Sequence, residues 1–145
     1  MTRLWLDTEY NGFGGQFISA ALVTEDGSHW YQAVGCNNPL PWVSENVLPI
    51  VGIQTVTLGL LQASLRDFLS KFEQVTIIAD WPADIEHFCH ILSIQPFNGK
   101  IIRTPPITFE LKIGLNGIGG SAVPHNALED ALAMMRYDLN ARCHS

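Results

Sequence analysis

Three short patterns carry the side chains best suited to chemistry. The first is Asp7-Thr8-Glu9, which follows the apolar run Leu4-Trp5-Leu6. In an extended chain, residues two apart project from one face, so both carboxylates can reach a common cation. The second is Ile77-Ile78-Ala79-Asp80-Trp81-Pro82-Ala83-Asp84-Ile85, where a buried strand delivers Asp80 to its end and Asp84 opens the helix that follows. The third is Pro124-His125-Asn126-Ala127-Leu128-Glu129-Asp130-Ala131. Five positions amount to about 140° on an ideal helix, so His125 and Asp130 meet only if His125 stands in the approaching loop. Glu129 is expected to face solvent. Carboxylates are hard oxygen ligands of the kind Mg²⁺ and Mn²⁺ take, and an imidazole exchanges protons near neutrality. Together they suit cation binding with a proton acceptor beside it. Each pattern alone also fits a plainer role: a solvated strand end, a helix cap, a surface histidine.

The elements that must position these groups can be read from the apolar pattern. Residues 4–6 form a buried strand, and Asn11-Gly12-Phe13-Gly14-Gly15 is a turn-rich segment. Residues 17–24 and 29–34 read as strands joined by the tight turn Glu25-Asp26-Gly27, giving a three-stranded meander. Pro39, Pro41 and Pro49 make residues 36–52 mostly loop or short helical turns. From Val56 on, Leu61, Leu65, Phe68, Leu69 and Phe72 recur at helical steps. Residues 75–79 are a compact β-branched strand. Ile85, Phe88, Cys89 and Leu92 then mark a second helix with Pro82 near its first turn and Cys89 as a small core residue. Residues 100–103 read as another strand, stopped by Pro105-Pro106, and residues 110–120 stay ambiguous. A closing helix shows Leu128, Ala131, Leu132, Met135 and Leu139 on its apolar face. The order βββ-α-β-α-β-α predicts an α/β mixed sheet flanked by helices.

Composition narrows the function classes. The 145 residues fit one domain spanning 1–145, and 47% hydrophobic content supports a sizeable core. A net charge of −6 argues against a broad basic surface for nucleic acid, but a carboxylate cluster that holds cations accounts for much of it. Cys36, Cys89 and Cys143 lack disulfide or zinc spacing, which fits a reducing, cytoplasmic setting. Asp7 comes too early for a secretory leader, and no run approaches the roughly 18 apolar residues of a membrane span. The glycines of residues 114–120 lack the Lys-Ser/Thr of a phosphate loop, and His87 with His90 lacks the companions of a zinc motif.

Taken in order, the three patterns resemble the DEDDh 3′-5′ exonucleases of the ribonuclease H-like superfamily. That family has DxE on its first strand, an Asp at a helix start after the fourth, and a final His-x4-Asp. The resemblance spans nearly the whole chain and, in compact length, is nearest to small bacterial and phage-type exoribonucleases. It implies a five-stranded mixed sheet, an antiparallel meander plus parallel strands. It also implies two Mg²⁺ or Mn²⁺ ions held by Asp7, Glu9, Asp84 and Asp130, with His125 as general base. The implied substrate is the 3′ end of single-stranded RNA, with DNA as the alternative, and the implied product is a 5′-nucleoside monophosphate. Backbone at Thr8 and Tyr10 would lie beside the terminal nucleotide, and the ring of Tyr10 or Phe13 would stack a base. Trp42 and Trp81 read as core or interface residues. Two departures stand out: the Asn that many relatives carry four residues before the middle Asp is Asp80 here, a candidate supporting residue, and the family's Thr-Gly pair is replaced by Tyr10-Asn11-Gly12. The resemblance leaves a homodimer open, with residues 39–49 as a candidate interface. Competing readings are a non-catalytic nucleotide- or protein-binding module and an endonuclease of the same superfold. Without cations the four carboxylates would repel one another, so the metal-free protein is expected to be less stable.

Overall fold

The first strand alternates Leu4 and Leu6 on one side with Trp5 on the other, and all three are fully buried. A strand buried on both faces must lie inside a sheet covered by helices on each side. The computed structural model, which describes residues 1–94, 99–115 and 120–143, has that architecture. Strands β1 (Thr2–Tyr10), β2 (Phe17–Val23), β3 (His29–Ala33), β4 (Val75–Ala79) and β5 (Ile107–Leu111) form one sheet in the order β3-β2-β1-β4-β5. The β1–β2 and β2–β3 pairs are antiparallel, whereas β1–β4 and β4–β5 are parallel. The helices are α1 (Pro41–Asn46), α2 (Leu58–Leu69), α3 (Pro82–Leu92) and α4 (Ala127–Cys143), with a 3-10 turn at Leu48–Ile50. This is the ribonuclease H-like α/β arrangement.

Leu4, Leu6, Leu22 and Ile77 pack under α2 and α3 with Leu61, Leu65, Leu69 and Phe88. Trp5, Ala21, Val23 and Ile78 pack under α4 with Ala127, Ala131, Met134 and Met135. Small residues at 127 and 131 let the start of α4 approach the sheet closely. A smaller cluster of Ile18, Ala33, Val43, Val47 and Val51 anchors α1. At the far end of α4, Asp138 accepts bonds from Trp5 Nε1 at 3.1 Å and Lys112 Nζ at 2.9 Å, tying helix to sheet.

Local chemistry sets the element ends. Thr57 caps α2 by accepting the Leu60 N–H. The buried Gln62 amide donates to the carbonyls of Ile91 and Ser93 at 2.9 and 2.8 Å, satisfying acceptors left over at the end of α3. Asn126 caps α4 by accepting the Glu129 N–H at 3.0 Å. The β2–β3 turn has Gly27 at φ 87°, a conformation that glycine takes without steric cost.

Two expectations need correction. The fifth strand is Ile107–Leu111, not residues 100–103: Ile101 makes one isolated antiparallel bridge to Ser93, and the chain pairs with β4 only after the two prolines. Cys89 is exposed, because the buried side of α3 runs through Asp84, Phe88, Ile91 and Leu92. Within the ambiguous glycine-rich stretch, residues 116–119 lie outside the described residues. Among the described residues, no helix is long and apolar enough to cross a membrane.

Candidate metal centre

The parallel strand β4 stops beside the middle of β1, which runs on to Tyr10, and the carboxylates singled out from the sequence gather where β4 leaves off. Asp7 and Glu9 project from the last residues of β1, opposite the small residues Ala21 and Ser19 of β2. Asp130 lies in the first turn of α4, which packs across β1 and β2. Oxygens of Asp7, Glu9 and Asp130 all lie within 4.8 Å of one another. Asp84 lies in the first turn of α3, and Asp80 lies in the connection from β4. Oxygens of Asp7, Asp80 and Asp84 form a second such group within the same 4.8 Å. Asp7 belongs to both.

These spacings suit divalent cations. Oxygens on opposite sides of a Mg²⁺ or Ca²⁺ ion stand about 4–5 Å apart. Asp7 is only 4% exposed, yet its Oδ2 is buried without a hydrogen-bond partner among the described residues. A buried carboxylate oxygen left unpaired is costly, and a cation at this spot would satisfy it. The cluster can bind metal ions.

The electrostatics agree. Burial, and then the charges of Asp84, Glu9 and Asp130, push Asp7 well above the usual carboxylate range. Burial, followed by Asp130 and Asp84, raises Glu9 to about 9. Asp84 rises to about 7, mainly through burial and against the bond it accepts from Thr8. Burial also raises Asp130, whose Oδ2 accepts the His125 N–H at 3.1 Å. A group of acids that raise one another lacks the counter-charge that would stabilise their ionised forms.

His125 stands in the loop before α4 with φ 70°, an unusual backbone conformation for a residue with a side chain. Its N–H bond to Asp130 secures that bend, and its ring meets Trp42 edge to face at 5.0 Å. The imidazole is exposed at the rim. Thr8 has its side chain buried, with Oγ1 donating to Asp84 Oδ1 at 2.5 Å, so it orients a carboxylate of the cluster. Tyr10 has one ring face taken by His87, stacked at 4.5 Å. Phe13, by contrast, is fully exposed. Glu129 is half-buried rather than solvent-facing.

Asp7, Glu9, Asp80 and Asp84 line an open cleft of 410 Å³ with Phe13, Trp42 and Trp81 around them. The two tryptophans, read from sequence as core or interface, are 54% and 55% exposed. Their signal lay in the neighbouring prolines: Pro41 and Pro82 begin helices, which sets Trp42 on the first turn of α1 and Trp81 at the cap of α3. Asn11 holds this wall in place, donating to the Asn38 carbonyl and accepting the Leu40 N–H, both at 2.8 Å. Gly12 turns there at φ 75°, a conformation that residues with a side chain rarely adopt. Two hollows of 490 and 510 Å³ lie elsewhere, beside Arg3 and Arg66, away from both carboxylate groups.

Comparison with protein-family models gives no match for the sequence, and comparison with curated proteins gives none either.

Proposed function

We propose that the protein is a metal-dependent 3′-5′ exonuclease of the DEDDh type that acts on single-stranded nucleic acid, with RNA as the preferred substrate. The observation that carries the reading is the pair of oxygen groups sharing Asp7, with a buried Asp7 oxygen that has no hydrogen-bond partner among the described residues. Asp7, Glu9, Asp84 and Asp130 hold the cations, two of the Mg²⁺ or Mn²⁺ type. When bound, such a pair neutralises the phosphodiester and the departing oxygen.

The chain's own groups do the rest. Thr8 fixes Asp84 through its hydroxyl, and the His125 N–H fixes Asp130. The His125 imidazole, at the rim next to Asp130, takes a proton from the attacking water. Water oxygen bonds to phosphorus, the bond from phosphorus to the 3′ oxygen breaks, and that oxygen leaves with a proton. A 5′-nucleoside monophosphate departs and the shortened strand keeps a free 3′ hydroxyl. Phe13 offers an exposed ring for the terminal base, and Tyr10, braced by His87, offers the edge of the same cleft. RNA is preferred over DNA on the resemblance to small exoribonucleases. Cys36, Cys89 and Cys143 are free thiols, which suits a cytoplasmic setting.

The test is an end-labelled single strand, RNA and DNA in parallel, incubated with Mg²⁺ or Mn²⁺ and with chelator. A ladder that shortens stepwise from the 3′ end and stops with chelator is expected. Internal cuts would instead favour an endonuclease, and an intact strand would favour a binding module.

A further inference from the structure

We infer that Asp80 is a fifth metal-binding carboxylate, which with Asp7 and Asp84 holds one of the two cations while Asp7, Glu9 and Asp130 hold the other. The inference rests on the metal-nuclease reading above and divides its site in two. Three observations support it. Oxygens of Asp7, Asp80 and Asp84 lie within 4.8 Å of one another, a grouping distinct from that of Asp7, Glu9 and Asp130. Asp7, common to both, is 96% buried, and its Oδ2 has no hydrogen-bond partner among the described residues. Finally, Asp84 Oδ1 already accepts the Thr8 hydroxyl.

The last point gives Asp80 a place in the site. A Mg²⁺ or Mn²⁺ ion takes about six oxygen ligands, and a site with few protein oxygens holds it weakly. Without Asp80, the α3 side offers Asp7, which is shared, and Asp84, which is partly engaged by Thr8. The local chain makes the third oxygen available. Asp80 follows the last residue of β4, Pro82 starts α3 after Trp81 alone, and Asp84 lies in the first turn, so both carboxylates come within 4.8 Å of Asp7. Charge points the same way. Four carboxylates balance two divalent cations, whereas a fifth leaves the site negative overall and strengthens its hold on the ions.

A competing role for Asp80 is that of a hydrogen-bonding neighbour to Asp84. Asp80→Asn separates the two, because an amide keeps hydrogen bonding and removes the anionic ligand. The full chain is titrated calorimetrically with Mn²⁺ as wild type, Asp80→Asn and Asp80→Ser, each checked by its metal-free melting curve. Wild type is expected to take two ions. Both variants should keep one at near wild-type affinity and bind the second about 10- to 100-fold more weakly. Two ions bound with unchanged affinities by Asp80→Asn would overturn the assignment. Strand cleavage by the wild type is followed in parallel. Cleavage with an indifferent Asp80→Asn sinks the fifth ligand and leaves the exonuclease reading standing. Two Asp80-dependent ions without cleavage do the reverse, and a wild type that takes fewer than two ions sinks both.

Discussion

Replacing Asp84 by Asn separates a metal site from an ordinary buried acid, because it should move stability in opposite directions with and without cation. In the metal-free protein the Asp84 carboxyl is raised from 3.8 to about 7 by burial, with the charge of Asp80 adding to it. A carboxyl whose folded value lies above its unfolded one supports the fold below about pH 4, and that support is lost as pH rises through the folded value. At about 1.4 kcal/mol per pH unit, the interval from 3.8 to about 7 amounts to roughly 4 kcal/mol against the fold at pH 8. Asparagine removes the charge and retains an oxygen for the Thr8 hydroxyl. Its NH₂ can donate to Asp80 or Asp7, although burying that amide takes back part of the gain. A net stabilisation of about 1–3 kcal/mol is therefore expected, or roughly 2–12 °C in Tm for a domain of this size. Cation reverses the ranking of effects. Mn²⁺ at a hundred times its Kd stabilises by about 2.7 kcal/mol per ion, or roughly 5–11 °C, so the wild type should gain from two ions and the variant, which keeps the Asp7, Glu9 and Asp130 group, from one. Scanning calorimetry at pH 8, with chelator and with Mn²⁺, reads both numbers. A repeat at pH 4 should remove most of the difference between the metal-free curves, since Asp84 is then protonated in the fold and about half ionised in the unfolded chain. The reasoning fails if the variant melts below the wild type in chelator at pH 8, or if it gains as much from Mn²⁺.

Three further outcomes are expected. His125→Ala should lower kcat about 10²- to 10⁴-fold and keep both Mn²⁺ affinities within threefold; calorimetry beside single-turnover cleavage checks this, and loss of both ions would contradict the general-base role. Mn²⁺ affinity should rise with pH up to about 9, because Glu9, raised to about 9, and Asp84, raised to about 7, must release protons to bind it. Titration in two buffers of different ionisation enthalpy counts those protons, and zero release at pH 7 would contradict the raised values. Phe13→Ala should raise KM for a short single strand about 5- to 100-fold, the equivalent of one stacked base, with Tm unchanged because the ring is fully exposed; an unchanged KM removes Phe13 from the binding surface.

Much of this architecture was legible in the sequence because dense apolar patterns leave little choice. The β4 run, expected over residues 75–79, is five consecutive buried residues with those bounds. β5 was missed because edge strands lack such a signal. Ile107–Leu111 is half-buried, and Phe109 packs against Phe88 from one side, whereas the β-branched pair at 101 and 102 looked more strand-like. Cys89 was misread for a different reason. Asp84 occupies the position on the buried side of α3 that an apolar residue would ordinarily hold, so the apparent stripe swings toward Ile85 and Cys89. Chemistry displaced the pattern, as is expected where a site is built into a core-facing surface. Asp80 was harder still. Its proximity to Asp7 depends on the parallel register that sets the end of β4 beside the middle of β1, which no local spacing encodes.

The contrast within α4 favours a cation site independently of resemblance. Asp130 and Asp138 are both buried, eight residues apart on one helix, and sequence periodicity treats them alike. Burial opposes the ionisation of each. At Asp138 that cost is overcome by bonds from Lys112 and Trp5 and by the charges of Lys112 and Arg142, which hold its carboxyl below the usual range. Asp138 thereby joins helix to sheet as a stabilising contact. At Asp130 burial outweighs the bonds from Ser121 and His125, with Asp7 and Glu9 as its carboxylate neighbours, and its carboxyl is raised instead. A fold selected for stability alone would gain by replacing such a group with apolar side chains. Buried acids that raise one another stay ionised together near neutral pH only with an outside positive charge, and divalent cations have a charge, oxygen preference and size that fit the two groups that Asp7 shares.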